Sequence, residues 1–118
     1  MTEEQPLISL TKTADAIVIA ILRKSLVDQV EIAELGEHLK RVANEFSKKL
    51  IVLNFAEVEF MSSSALGAII EANTLVKSNK GELRLANLSD DLKKIFVMTK
   101  LDKVIRIDDD YWIAVQSK

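Results

Sequence analysis

Short apolar runs alternate with longer amphipathic stretches along this chain. Residues 7–11 (LISLT) read as a short strand, and Thr13-Ala14-Asp15 as a turn. Residues 16–22 (AIVIAIL) are rich in β-branched side chains and too short for a normal helix. The two runs are close enough to pair as a hairpin. Over residues 31–46, Ile32, Leu35, Leu39, Val42 and Phe46 recur at steps of three and four, which predicts one apolar helix face. Asp28, with Glu31 three residues on, has the spacing of a capping box, so the helix is expected to begin near residue 29. Residues 50–55 (LIVLNF) form a nearly unbroken apolar run, as in a strand covered on both faces.

The second half repeats the alternation. Residues 63–76 predict a helix with Leu66, Ile69, Ile70, Asn73 and Val76 inward, ended by a Lys80-Gly81 turn. Glu82–Ala86 alternates Leu83 and Leu85 as a half-buried strand does. Ser89 is placed to cap a third helix, with Asp90 and Asp91 in its first turn and Leu92, Ile95, Phe96 and Thr99 inward. Residues 103–107 predict the last strand, broken by the solvated acidic turn at 108–110. The end, YWIAVQSK, reads as a short helix in preference to a docked extended tail. The order β-β-α-β-α-β-α-β predicts an α/β domain with a mixed sheet of four to five strands and helices packed against it. One domain is expected over residues 1–118, its core over 6–108 and a tail element over 109–118.

Composition narrows the function. The chain has 118 residues and no cysteine, so disulfides, thiolate metal sites and cysteine nucleophiles are excluded. Net charge is −2 and aromatic content 5%, which argues against a nucleic-acid partner. The longest charge-free run, residues 60–70, is too short to insert across a bilayer, and the opening MTEEQP does not fit a signal peptide. Enzyme readings lack parts. His38 is the sole histidine and falls off the apolar stripe of its helix, no serine sits in a G-x-S-x-G elbow, and neither common phosphate-cradling glycine motif occurs. The acidic run at 108–110 lacks calcium-loop spacing, and the third strand ends Leu53-Asn54-Phe55 without a phospho-acceptor carboxylate. No cofactor, metal or catalytic residue is expected.

The informative stretch is 54–70, NFAEVEFMSSSALGAII, where three serines stand between a strand and an amphipathic helix. Serine suits helix N-termini, so one of them is accounted for as a cap. Ala65 and Gly67 are small and leave the start of the helix open to a partner's backbone. A hydroxyl here can be phosphorylated without harm to the fold, because the helix dipole favours the added charge of about −1.5 to −2. The same charge at a contact surface breaks an interface.

The segment Phe60-Met61-Ser62-Ser63-Ser64-Ala65-Leu66-Gly67 resembles the motif of STAS domains, the anti-sigma factor antagonists, whose usual form is close to F-x-D-S-S-G-L-G. Residues 50–55 and 83–107 are similar to the family's third strand and its closing strand-helix-strand segment, with Asn87 after the strand. The resemblance implies a cytoplasmic, non-enzymatic regulator. Its partner would be an anti-sigma factor that is also a serine kinase of the histidine-kinase-like ATPase fold. Phosphorylation of the motif serine would break that complex, and a serine phosphatase would restore it. On this sequence the phosphorylated serine falls on Ser63, with Ser62 and Ser64 as alternatives; Ala65 and Gly67 fall on the two glycines, and Asp28 on the loop aspartate near the partner surface. Two departures stand out. Ser62 replaces the family's aspartate, which changes how the acceptor hydroxyl is held. The loop Lys24-Ser25-Leu26-Val27-Asp28 is longer and more basic than the usual G-x-L-D, and Arg23 and Lys24 are expected to meet an acidic partner face. A STAS interaction module without phosphorylation, such as a stress-signalling scaffold or a transporter accessory, is the alternative.

Overall fold

The computed structural model describes residues 6–110 and Val115. Strands β1 (Ile8–Lys12) and β2 (Ala16–Ile21) form the expected antiparallel hairpin. Thr13 closes its turn, its hydroxyl accepting from the Ala16 amide at 2.9 Å. A two-residue strand β3 (Ser25–Leu26) follows, then helix α1 (Gln29–Glu45), β4 (Leu50–Asn54), a second two-residue strand β5 (Phe60–Met61), helix α2 (Ser63–Ser78) and β6 (Glu82–Ala86). Helix α3 (Asp90–Met98), a 3₁₀ turn (Leu101–Lys103) and β7 (Arg106–Asp108) complete the described elements.

The main sheet runs β1-β2-β4-β6-β7, antiparallel at the first pair and parallel elsewhere. Register sorts its two faces. Ile17, Ile51 and Leu83 lie side by side, as do Ile19, Leu53 and Leu85. These six meet the apolar stripes of all three helices, including Leu35, Leu39, Ile69, Leu92 and Phe96, in one core. The opposite face carries a smaller cluster of Ala16, Val18, Leu50, Val52 and Ala86, closed by Val115. Both faces of β4 are therefore dry, as its unbroken apolar run requires. Val115 is in helical conformation; the rest of the tail expectation, and residues 1–5, lie outside the described residues.

Four local expectations are corrected. Strand β6 is buried on both faces, because Arg84 folds over the second face and meets Glu82 through Nε at 2.8 Å and Nη2 at 3.1 Å. On α2 the inner stripe is Ala65, Ile69, Ala72, Asn73 and Val76, while Ile70 is exposed. Thr99, expected to face inward, is the exposed C-cap of α3 and donates its hydroxyl to the Ile95 carbonyl at 2.7 Å. The last strand begins late. Lys100 takes a left-handed conformation (φ 62°), and the Ile105 amide returns to the Leu101 carbonyl at 2.9 Å, so the chain turns before it extends. Asp108 consequently lies inside the strand and is buried beside Arg106, whereas Asp109 is exposed and pairs with Lys93.

Candidate functional site

The two short strands bring together the segments that carry the candidate residues. β3 and β5 pair in parallel, Ser25 beside Phe60 and Leu26 beside Met61. The ladder extends on both sides. The Lys24 carbonyl accepts from the amides of Glu59 (2.8 Å) and Phe60 (3.1 Å), and the Leu26 carbonyl accepts from the Ser62 amide (3.0 Å). Periodicity gives no sign of a two-residue strand, so this small sheet was not predicted. It places the starts of α1 and α2 next to one another.

Each helix start is capped. Asp28 Oδ1 accepts from the amides of Val30 (2.8 Å) and Glu31 (3.0 Å). The Glu31 carboxylate turns to Arg23, whose Nε donates to it at 2.7 Å. Arg23 also donates through Nη1 to the carbonyls of Pro6 and Leu22. Its guanidinium is thus held within the chain, tying the β1–β2 hairpin to α1. Lys24 is the cation that reaches solvent, with its Nζ 3.9 Å from Glu59.

At α2 the cap is Ser62. Its backbone is extended (φ −82°, ψ 168°), its Oγ accepts from the Ala65 amide at 3.3 Å, and its carbonyl receives the Leu66 amide. Serine and aspartate are interchangeable in this task, which gives the Ser62 departure a structural account. Ser63 and Ser64 occupy the first two helical positions, both exposed. Among the described residues neither hydroxyl has a hydrogen-bond partner. The amides of these positions have no intrahelical acceptor, and α2 has no acid in its first turn, so the helix dipole there is uncompensated.

The remaining candidates divide by burial. Ala65 is fully buried and joins the core, so its side chain cannot touch a partner. Met61 is half-buried against the same core, and Phe60 is 58% exposed. Gly67 lines a groove of about 580 Å³ between α1 and α2, together with Ser64 and Gly36. A Cβ at either glycine would meet nothing within 4 Å, so no packing inside the chain requires them. Sequence reasoning missed Val27 and Val30, exposed by 54% and 74% at the start of α1. Their signal was present, since both fall outside the apolar stripe that begins at Ile32. With Phe60 they supply large apolar side chains on the segments that the small sheet joins. His38 lies mid-helix on α1, with Nε2 3.8 Å from Glu34.

Comparison with known proteins places this geometry. The STAS domain model matches residues 7–112. An anti-sigma-factor antagonist (STAS) domain protein from Planctomyces limnophilus superposes with a TM-score of 0.82 at 17% identity, covering 93% of this chain and 95% of that one. A putative anti-sigma factor antagonist from Thermotoga maritima gives 0.79 at 19% identity, with 92% of each chain covered. The Bacillus cell fate determinant SpoIIAA in its phosphorylated form gives 0.71 at 18%, covering 94% and 99%. At these identities the likeness is one of fold. The family match spans the sheet, the three helices and the capped serine segment, and the chain belongs to the STAS domain family.

Proposed function

We propose that this chain is an anti-sigma factor antagonist, a binding protein whose contact surface is switched off by phosphorylation of Ser63. The observation that carries the reading is the Ser63 hydroxyl. It is exposed and unengaged at the open end of α2, beside a cap that Ser62 already supplies. The surface proposed for the partner comprises Lys24, Asp28, Phe60, Met61, Ser62, Ser63, Ser64 and Gly67, joined by Val27 and Val30. Ala65 and Arg23 act behind it, one in the core and one in the clasp to Glu31. Exposed apolar side chains beside small and polar ones are what a docking partner desolvates.

Phosphorylation would act on that surface and leave the fold alone. A dianion at the first position of α2 is favoured by the helix dipole and by amides lacking intrahelical acceptors. At an interface the same charge must be stripped of water against apolar neighbours, which opposes binding. The proposed partner is an anti-sigma factor with serine kinase activity and a histidine-kinase-like ATPase fold, with a serine phosphatase resetting the switch. The structurally similar antagonists support an anti-sigma factor as the partner; its kinase activity and ATPase fold are part of the proposal.

Wild-type and Ser63→Glu proteins, immobilised in parallel and exposed to the organism's lysate, test the reading. Capture of an ATPase of that fold by wild type and its loss with Ser63→Glu is the expected result. Incorporation of phosphate at Ser63 by the purified ATPase would complete it. Capture of one non-kinase assembly by both baits would overturn the switch and leave an unphosphorylated STAS interaction module.

A further inference from the structure

At the end of the sheet away from the serines, the turn before β4 and the turn before β6 are stitched together. The Lys48 amide donates to the Asn79 carbonyl at 3.0 Å, and the Glu82 amide to the Lys49 carbonyl at 3.1 Å. Gly81 makes the approach possible, because a Cβ there would lie 2.6 Å from the Lys49 carbonyl oxygen. Lys48 and Lys80 both hold left-handed backbone conformations, φ 65° and 64°, which asparagine or glycine adopts more readily than lysine. The stitched turns set Lys48, Lys49 and Lys80 around a cavity of about 460 Å³ with Arg84 in its wall.

The charge count there is lopsided. Four cations line the cavity, Lys48, Lys49, Lys80 and Arg84, against two acids, Asp15 and Glu82. The excess of two positive charges occurs in a chain whose net charge is −2. Glu82 is already bonded to Arg84, and among the described residues Lys48, Lys49 and Lys80 form no ion pair. The amides of Lys80, Gly81 and Glu82 are committed to carbonyls, so recognition falls to the lysine side chains. We propose that this cavity is an anion site that takes a phosphate-class ligand, free or carried on a lipid headgroup. Three lysines lining one cavity can supply several donors to the oxygens of such an anion, and a concave site focuses their field. The site is separate from the serine surface, so the two are testable apart.

The probe is inorganic pyrophosphate, titrated into the isotope-labelled full chain at constant ionic strength, with chloride as the control. The lipid arm is co-sedimentation with phosphatidylcholine vesicles with and without phosphatidylglycerol. The variant is Lys48→Asn with Lys80→Asn, which removes two charges and suits the left-handed backbone, so the fold is kept. Expected are saturating amide shifts confined to residues 48–49 and 80–82, or sedimentation that depends on phosphatidylglycerol, weakened about tenfold or more in the variant. Whichever arm responds identifies the source of the anion. No saturable response in either arm, or equal affinity of wild type and variant, would overturn the proposal.

Discussion

Replacing Ser62 by alanine separates the two tasks open to the serine run. The Ser62 hydroxyl accepts from the Ala65 amide at 3.3 Å, near the long end for such a bond, at a half-buried site. Loss of a cap costs about 0.5–2 kcal/mol, and this geometry points to the middle or lower part, ~1 kcal/mol. For a chain of this size that corresponds to roughly 3–5 °C in the melting midpoint. Ser63→Ala removes a hydroxyl with no partner and installs a better helix former, so stability should hold or rise by under ~0.5 kcal/mol. Ser62→Asp should restore the cap and add a charge to a first turn that has no acid, about 0.5 kcal/mol at low salt. Urea unfolding followed by far-UV circular dichroism, with thermal melts alongside, measures all three. The assignment of Ser62 as cap would be refuted if Ser63→Ala lowered the midpoint as much as Ser62→Ala, or if Ser62→Asp recovered nothing.

The glycines should divide into two classes. Gly36→Ala and Gly67→Ala, where a Cβ meets nothing within 4 Å, should each raise unfolding free energy by about 0.5–1 kcal/mol. Gly81→Ala drives a Cβ to 2.6 Å from a backbone oxygen and should lower it by about 1–3 kcal/mol, read in the same denaturant series. Hydrogen bonding from Arg84 holds the Glu82 carboxyl below its ordinary value of 4.5. A depressed folded-state value means that this stabilisation is complete above the ordinary value and fades as pH falls through the depressed one. The stability difference between wild type and Glu82→Gln, followed by denaturant titration across the acid range, should therefore shrink as pH drops below about 4.5, and a constant difference would contradict the assignment.

Elements longer than four residues were legible in the sequence wherever packing follows a regular period. The stripe Ile32, Leu35, Leu39, Val42 meets the core as predicted, and the unbroken run of β4 is central and dry. Regular periods fail where a polar side chain is buried with a partner, as Arg84 is with Glu82, or where a left-handed residue such as Lys100 resets the chain. The serine segment was found from its residue types. Which serine caps was not, because the choice depends on where the Leu26 carbonyl holds the Ser62 amide, a contact set by two rungs of β-ladder that leave no pattern. Arg23 was expected outward for its charge; Leu22 adjoins it in sequence, but its other partners, Pro6 and Glu31, come within reach only once the hairpin and α1 have folded.

The β3–β5 pairing has a consequence for how such a surface can diverge. Because the Ser62 amide is hung on the Leu26 carbonyl, the position at which α2 starts is fixed by main chain. Neither the Ser63 hydroxyl nor the Phe60 ring is needed to hold it. Side chains along both rims can then be exchanged without moving the scaffold beneath them. Specificity for a partner becomes a text that can be rewritten letter by letter, while the frame that displays it stays in register.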